Sequence, residues 1–204
     1  MGLQAIVVGV LVQFSESFSM VDLFDTEPGA PVDLMGAVIW PLCLDEDAQA
    51  AMLADLRDVA CAAPFRQYET PGGHKMSVRM TSAGDVGWMT DRKGYRYSKR
   101  HGDGGAWPEI PASVLDVWRA VSGVDRDPDS CLVNFYGEGA RMSLHQDKDE
   151  VDLRWPVVSI SLGDPGRFRV GGQARTDPTN SRWLMSGDVA VLSGDARLAY
   201  HGID

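Results

Sequence analysis

Apolar residues recur at helical spacing in two parts of the chain and at strand spacing in most of the rest. Helical spacing covers residues 45–63, where Asp45 can cap the first turn and acidic residues follow it. The buried face predicted for this helix consists of Ala48, Met52, Leu53, Leu56, Val59 and Ala60. A second amphipathic helix is predicted in the later half of residues 107–124, and its apolar side consists of Val114, Leu115, Trp118 and Val121.

Short strands and turns are predicted elsewhere. Residues 25–36 are rich in Asp, Pro and Gly and predict a loop, and a short strand is predicted in 36–44. Strand-like pieces follow in 65–70, 74–84 and 86–98, and a polar loop in 99–105. From Ser130 onward the segments CLVNFYGEG, ARMSLHQD, PVVSISLG, GRFRVGG, RWLMSGDVAVLSG and DARLAYHG predict closely spaced strands. This order predicts an α+β fold, mainly β, with helices packed outside a barrel or sandwich.

The chain has 204 residues and no change of composition that would divide it, so one domain is predicted. The N-terminal run MGLQAIVVGVLVQF lacks a basic region and a cleavage site, and it is too short to span a bilayer. Met20 begins MVDLFDTEPG, which is typical of a natural start. We therefore expect residues 1–19 to be an extension from a misplaced start codon and residues 20–204 to form the domain; a weak export signal is the alternative.

The three cysteines, Cys43, Cys61 and Cys131, form neither a CxxC pair nor a zinc-binding spacing. Unpaired thiols are typical of a reducing cytoplasm, which is the compartment we expect. The simplest interpretation of all three is that they are small buried residues.

The charge of the chain argues against a broad surface for phosphates, because the formal net charge is −10. The segment 91–101 is an exception, since it contains two tyrosines and a single acid beside five basic residues, Arg92, Lys93, Arg96, Lys99 and Arg100. Basic groups interleaved with aromatic rings suit a nucleic-acid strand. The alternative is an ordinary solvated loop.

A metal site is the chemistry that the C-terminal strands suggest. His145 and Asp147 are two positions apart, so on a regular strand both side chains point to the same face. His201 lies at the end of a later predicted strand. Two imidazoles and one carboxylate on one face of iron form the site of non-haem Fe(II) oxygenases. The alternative is a chance H-x-D with an unrelated histidine, which is common.

The sequence around these residues resembles the AlkB family of Fe(II)/2-oxoglutarate-dependent nucleic-acid dealkylases, most closely its bacterial members. The matching stretches are APFRQ, TPGGHKMSV, GYRYS, CLVNFYGEGARMSLHQDKDEVDLRWPVVSISLG, RTDP and GDVAVLSGDARLAYHGI, in that order. The likeness extends from about Met20 to the last residue. It implies a double-stranded β-helix, or jelly roll, with flanking N-terminal helices and a nucleotide-recognition lid.

The resemblance assigns roles to individual residues. It implies that iron is bound by His145, Asp147 and His201, and that 2-oxoglutarate contacts Leu132, Asn134 and Tyr136. It implies that Trp88 stacks on a flipped-out base with the His145 ring on the other side, and that Tyr95 contacts a phosphate. Asp149 and Arg175 match residues at the base edge and the nearby pocket, while Thr70 and Met76 match the lid.

The activity implied is oxidative demethylation or dealkylation of N-alkylated bases, a direct reversal of damage that uses Fe(II), 2-oxoglutarate and O₂. A base must leave the helix stack before such a site can reach it, and flipping costs least where alkylation already disturbs pairing. The expected partner is alkylated single- or double-stranded DNA, or RNA. We expect a monomer and no membrane contact.

The sequence departs from the family after its second iron histidine. The family has the pattern R-x-N-x-T-x-R there, with arginines that bind the 2-oxoglutarate carboxylates, whereas this sequence reaches Asp204 without it. We therefore expect a C-terminally truncated homologue with weakened co-substrate binding and an open sheet edge. Two alternatives stay open: an oxygenase acting on a protein or a small molecule, and a catalytically impaired cupin-like binding module.

Overall fold

A jelly-roll core carries two helices on its outside in the computed structural model, which describes residues 7–13 and 29–204. The helices are α1 (Glu46–Ala62) and α2 (Ala112–Val121), and a short 3-10 helix spans Gly194–Leu198. The strands are β1 (Val7–Gln13), β2 (Val32–Leu34), β3 (Ala37–Trp40), β4 (Arg79–Gly84), β5 (Gly87–Asp91), β6 (Gly94–Ser98), β7 (Ser130–Tyr136), β8 (Met142–His145), β9 (Val157–Gly163), β10 (Gly166–Val170), β11 (Asn180–Leu184), β12 (Val189–Leu192) and β13 (His201–Ile203).

Three sheets are formed by the described strands. The large sheet has the order β2-β3-β12-β9-β1-β7-β4, the small sheet has the order β11-β10-β13-β8, and β5 and β6 form a separate hairpin. Side chains from the large sheet, such as Ile39 and Tyr136, pack with Phe168 and Ile203 of the small sheet. The two sheets therefore face each other, as the fold predicted from the sequence requires.

The large sheet is covered on both faces, and this explains its nearly continuous apolar strands. In β12, Val189 and Val191 pack toward the helices, whereas Ala190 and Leu192 pack between the sheets. Strand β7 follows the same alternation, with Cys131 and Val133 toward the helices. Because successive side chains of a strand alternate between faces, the other face of β7 turns toward the space between the sheets.

The helices form where the sequence predicts them. Asp45 is the N-cap of α1, and its carboxylate accepts a hydrogen bond from the Ala48 N–H at 2.8 Å. Three of the six residues predicted to be buried on α1 are fully buried, namely Met52, Leu56 and Val59, and the other three are partly buried. In α2 the buried residues are Val114, Val117 and Trp118, and Val121 packs partly buried against the same core, so three of the four predicted residues lie on the buried face. Leu115 is only partly buried, and Val117 takes a buried position that was not predicted.

Several strand boundaries differ from the prediction. Part of the predicted loop 25–36 is strand β2, which pairs with β3 around a turn at Met35 and Gly36. The segment 65–70 makes only isolated bridges, among them one between Arg66 and Met80. The start of DARLAYHG is the 3-10 helix and only its end is strand. In these segments the backbone conformation is determined by contacts with segments distant in sequence, and local residue preferences do not predict such contacts.

Strand β1 lies inside the segment 1–19 that was expected to be an extension, and that expectation stays a prediction. β1 runs parallel to both of its neighbours, β7 and β9. Each of these two strands therefore has a neighbour on both sides, and the open edge expected from the sequence stays a prediction. Val10 and Val12 of β1 are buried toward the helices. Neither described helix is long and apolar enough to cross a membrane.

Candidate metal centre

Two antiparallel strands of the small sheet hold the two histidines side by side. His145 is the last residue of β8 and His201 is the first residue of β13, and the two are direct partners in the ladder. Directly opposed residues of an antiparallel pair lie on the same face of the sheet, so both imidazoles point into the space between the sheets. Their ring centroids are 4.5 Å apart.

Asp147 reaches the site in a different way from the one predicted. Strand β8 ends at His145, so the carboxylate arrives from the following loop and not by strand alternation. Its Oδ1 lies 3.5 Å from Nε2 of His145, and its Oδ2 lies 3.4 Å from Nε2 of His201. One ligand atom from each of the three residues lies within 4.8 Å of the others.

The histidine tautomers are set by the backbone. Nδ1 of His145 lies 2.9 Å from the Ser143 carbonyl, and Nδ1 of His201 lies 3.1 Å from the Ala199 carbonyl. Because a carbonyl can only accept, each Nδ1 carries a hydrogen and donates it, so Nε2 is the atom of each ring that faces Asp147 and would bind a metal. Metal-binding histidines are usually oriented in this way by an outer partner.

Electrostatics keeps the carboxylate ready to bind a cation. Desolvation would raise the pKa of Asp147, but the charge of His201 and the hydrogen bonds from both imidazoles hold that pKa well below its usual range. Desolvation opposes protonation of His145, but its hydrogen bond with Asp147 and the carboxylate charge outweigh it and raise the imidazole pKa. An ionised carboxylate and the Nε2 atoms of two imidazoles, once a metal displaces their hydrogens, are the donor set that iron takes in facial oxygenase sites.

A cavity of about 350 Å³ opens above the three ligands. Eleven of the residues singled out from the sequence line it: Met76, Trp88, Tyr95, Leu132, Asn134, Tyr136, His145, Asp147, Asp149, Arg175 and His201. Thr70 does not line it, and its hydroxyl instead accepts a hydrogen bond from the His74 N–H at 3.2 Å. A mostly apolar cleft with a few convergent polar groups is the usual form of a small-molecule site.

One wall of the cavity is the inner face of β7. Leu132, Asn134 and Tyr136 occupy alternate positions there and share that face. Asn134 Oδ1 is buried and has no hydrogen-bond partner among the residues that the structure describes. Burial raises the pKa of Tyr136, with the Asp147 charge adding to it, so the hydroxyl keeps its proton. A buried amide oxygen without a partner is costly in a folded protein, so this wall is suited to a polar ligand.

The outer rim of the cavity is aromatic and comes from the hairpin β5–β6. The Trp88 ring stacks on Tyr95 with centroids 5.7 Å apart and meets Tyr68 edge-on at 6.1 Å. The indole Nε1 of Trp88 donates to Asp149 Oδ2 at 3.0 Å. The place at the base edge that the resemblance implies for Asp149 stays a prediction. Arg175 lies over the Tyr200 ring, 5.9 Å from its centroid.

The positive charge of the hairpin is smaller than the sequence count suggests. Arg96 donates two hydrogen bonds to Asp91, from Nη1 at 3.0 Å and from Nη2 at 2.7 Å. Arg92 lies 3.8 Å from Glu69 Oε2. Both pairs are solvent-exposed, so a phosphate can compete with them at small cost.

Sequence reasoning missed several residues of the site. Lys148 and Glu150 line the cavity and Arg197 is buried behind it, whereas Tyr97, which also lines the cavity, belongs to the segment 91–101 that the sequence had singled out. Lys148 and Glu150 adjoin residues that were singled out, so proximity to the H-x-D motif was a usable signal. Glu150 and Arg197 are charged residues with about 4% of their side chains exposed, and nothing in a sequence distinguishes such a pair from surface residues.

Comparisons with known proteins agree with this geometry. Residues 36–204 match the family described as "2OG-Fe(II) oxygenase superfamily". The chain is 52% identical over 170 residues to an alpha-ketoglutarate-dependent dioxygenase AlkB homolog of Caulobacter vibrioides, covering 83% of this chain and 77% of the relative. It is 46% identical over 190 residues to the alpha-ketoglutarate-dependent dioxygenase AlkB of Escherichia coli K12, covering 90% and 88%.

More distant proteins are similar as well. The chain is 40% identical over 123 residues to the DNA N(6)-methyladenine demethylase ALKBH1A of Arabidopsis thaliana, covering 57% of this chain and 36% of the relative. The solved structure of OsALKBH1 superposes with a TM-score of 0.70 at 29% identity, over 86% of this chain and 87% of that one.

Proposed function

The chain belongs to the AlkB family of the 2OG-Fe(II) oxygenase superfamily, and on that premise we propose that it removes alkyl groups oxidatively from base nitrogens of DNA, with RNA as the second substrate to test. The observation that carries this proposal is the meeting of two structures in one cavity: the His145, Asp147 and His201 cluster at its floor and the aromatic hairpin at its rim. The metal cluster would serve any oxygenase of this superfamily, whereas the aromatic and basic hairpin at the rim favours a nucleic-acid base over a protein or small-molecule substrate.

Iron fits the donor set, and His145, Asp147 and His201 would hold it. When bound, Fe(II) activates O₂ together with 2-oxoglutarate and supplies the oxidising chemistry that the protein's own side chains lack. The protein contributes the fixed Nδ1 orientation of the two imidazoles and the ionised carboxylate. The alkyl carbon leaves as an aldehyde and the base is restored.

The inner wall of the cavity suits 2-oxoglutarate. We assign Asn134 and Tyr136 to its polar groups and Leu132 to its methylene chain, because these three share the face of β7 that turns to the metal ligands. The two carboxylates of 2-oxoglutarate also need a cationic side chain as a partner. Among the described residues that line the cavity, the Lys and Arg side chains are those of Lys148 and Arg175. Titration of the chain with 2-oxoglutarate in the presence of Fe(II) tests the weak binding predicted from the sequence.

The rim suits a flipped base. Trp88 presents a ring to the cavity, with Met76 nearby and Tyr95 stacked on it, so a base entering here meets aromatic and apolar surface. Arg92 and the exposed parts of the hairpin lie beside it for the adjoining phosphates. We assign Tyr95 to phosphate contact, Asp149 and Arg175 to the base edge, and Thr70 with Met76 to the lid.

The site is built from one chain, and we therefore propose that the protein acts as a monomer. Cys131 is buried as expected, but Cys43 is only partly buried and Cys61 is exposed, so the interpretation of all three as buried residues was wrong for Cys61. Free thiols suit the reducing cytoplasm, which we propose as the compartment. The acidic net charge of −10 and the short basic hairpin predict a small contact area on the nucleic acid, in single- or double-stranded form.

The test is turnover of an oligonucleotide that carries one 1-methyladenine, prepared as single-stranded DNA, duplex DNA and RNA. With Fe(II) and 2-oxoglutarate supplied, we expect mass spectrometry to show loss of the methyl group and an aldehyde assay to show formaldehyde in equal amount. His145→Ala and Asp147→Ala should abolish both signals and the binding of metal. The matched control is Asp58→Ala, an exposed carboxylate on α1. Undiminished turnover in either of the site variants would refute the proposal.

A further inference from the structure

A buried arginine connects the two segments that supply the metal ligands. Arg197 lies on the 3-10 helix Gly194–Leu198, shortly before His201, and 4% of its side chain is exposed. Its Nη1 donates to the Asp147 carbonyl at 2.5 Å, and its Nε donates to the Trp155 carbonyl at 2.6 Å. The guanidinium therefore holds both ends of the loop 147–155 against the segment that leads into β13.

Asp147 needs such a support because none of the described strands pairs with its backbone. Strand β8 ends at His145, and residues beyond it are irregular until β9 begins at Val157. A carboxylate on an unsupported loop would sample many positions. Fixing it would cost conformational entropy, and this cost would weaken the affinity for the metal. The bond from Arg197 to its carbonyl limits that freedom before any metal arrives.

The same guanidinium continues to the rim of the cavity. Nη2 of Arg197 donates to Glu150 Oε2 at 3.1 Å, in a pair whose side chains are each about 4% exposed. The other oxygen of this carboxylate, Oε1, accepts from the Tyr97 hydroxyl at 2.9 Å. Tyr97 lies on β6 and is the direct ladder partner of Trp88 on β5. An unbroken chain of hydrogen bonds thus joins the aromatic hairpin to the backbone of a metal ligand.

We propose that Arg197 is the positioning residue for Asp147, and that Glu150 and Tyr97 couple its position to occupancy of the hairpin by substrate. A base that stacks on Trp88 restricts the motion of the hairpin. Because Tyr97, Glu150 and Arg197 are linked by hydrogen bonds, this restriction also fixes the guanidinium of Arg197. The carboxylate of Asp147 is then held closer to the position that binds the metal. The coupling half of this proposal rests on the proposed function, whereas the positioning half does not. Linkage makes the effect reciprocal, so bound metal strengthens substrate binding by the same factor.

The positioning half is tested with Co(II) and the full chain, without nucleic acid. The chain is stripped of metal with a chelator, and Co(II) binding is followed by its visible absorption. We expect Arg197→Lys and Arg197→Met to weaken the Co(II) Kd by about 10–100-fold, with Met the worse of the two. Arg119→Lys is the matched control, because Arg119 forms exposed ion pairs on α2. The positioning role of Arg197 is overturned if the Arg197→Met protein is folded, as judged by an unchanged circular dichroism spectrum, and its Co(II) Kd is within about twofold of that of the original chain.

Where the Arg197 variants fail to fold, Glu150→Gln replaces them, since it keeps the shape of the side chain and leaves Arg197 in place. Loss of the carboxylate charge frees the guanidinium from its partner, and we expect a smaller but measurable weakening of the Co(II) Kd. A folded Glu150→Gln protein with the original Kd counts against the proposal.

The coupling half is tested with Tyr97→Phe, which removes one hydroxyl and leaves the ring packing. The Co(II) Kd is measured with and without a 1-methyladenine oligonucleotide at saturation. We expect the oligonucleotide to tighten Co(II) binding in the original chain and to lose most of that effect in Tyr97→Phe. An equal effect in both proteins overturns the coupling. An oligonucleotide that does not bind the original chain at all counts against the proposed function, and the metal titrations still decide the role of Arg197.

Discussion

Replacement of Trp88 by alanine is the sharpest test of the base site. The substitution removes the ring that faces the cavity and the 3.0 Å hydrogen bond from its Nε1 to Asp149. Stacking of one base on an aromatic side chain contributes about 1–3 kcal/mol. Tyr95 already covers part of the indole at 5.7 Å and stays in place in the variant, so we expect the lower part of that range, about 1–2 kcal/mol.

At about 1.4 kcal/mol for each tenfold change, this loss corresponds to binding weakened by about 5–30-fold. The hydrogen bond to Asp149 adds little, because water can replace the indole N–H at an exposed carboxylate. The assay is fluorescence anisotropy of a labelled 1-methyladenine oligonucleotide with Co(II) present and 2-oxoglutarate absent, so that no turnover occurs. The apparent KM for the oligonucleotide should rise by a similar factor in the turnover assay.

The matched control is Trp183→Ala, since Trp183 is 59% exposed on β11 and does not line the cavity. It should bind the oligonucleotide and Co(II) as the original chain does. An oligonucleotide Kd for Trp88→Ala within about twofold of the original would show that no base stacks there. Loss of Co(II) binding in Trp88→Ala would instead show that the indole supports the metal centre through Asp149 and the loop that contains Asp147.

The remaining predictions concern the thiols and the core. Burial raises the pKa of Cys131 to about 12, so its thiol stays protonated and unreactive at pH 8, whereas the exposed Cys61 should react with a thiol-specific chromogenic disulfide in the native chain. Burial, followed by the charge of Asp188, also raises the pKa of the half-buried Cys43, and all three should react in urea; rapid reaction of Cys131 in the native state contradicts this. Trp118 is fully buried, so Trp118→Ala should lower the free energy of unfolding by about 3–5 kcal/mol in urea denaturation, and a loss below about 1 kcal/mol would contradict the packing described.

Strand β7 shows how much of the site periodicity can predict. Its alternation places Cys131 and Val133 on the face toward the helices and Leu132, Asn134 and Tyr136 on the other, and the residues on the inner face are the ones that the family resemblance assigned to the co-substrate. The N-cap at Asp45 and the extent of α1 were likewise predictable, because capping and helical spacing are local properties. Whether Leu132, Asn134 and Tyr136 bind 2-oxoglutarate stays a prediction.

The sequence by itself determined the chemistry available: H-x-D, a later histidine, an aromatic and basic hairpin, and a chain of short strands. Only the tertiary structure decided that β13 lies beside β8, so that His201 faces His145, and that Asp147 reaches them from a loop. It also decided that Glu150 and Arg197 meet away from solvent and that β1 lies between β7 and β9. The physical reason is range. Caps and periodicity act between residues a few positions apart, whereas strand pairing and the burial of a charge depend on contacts between segments distant in sequence, which spacing alone does not specify.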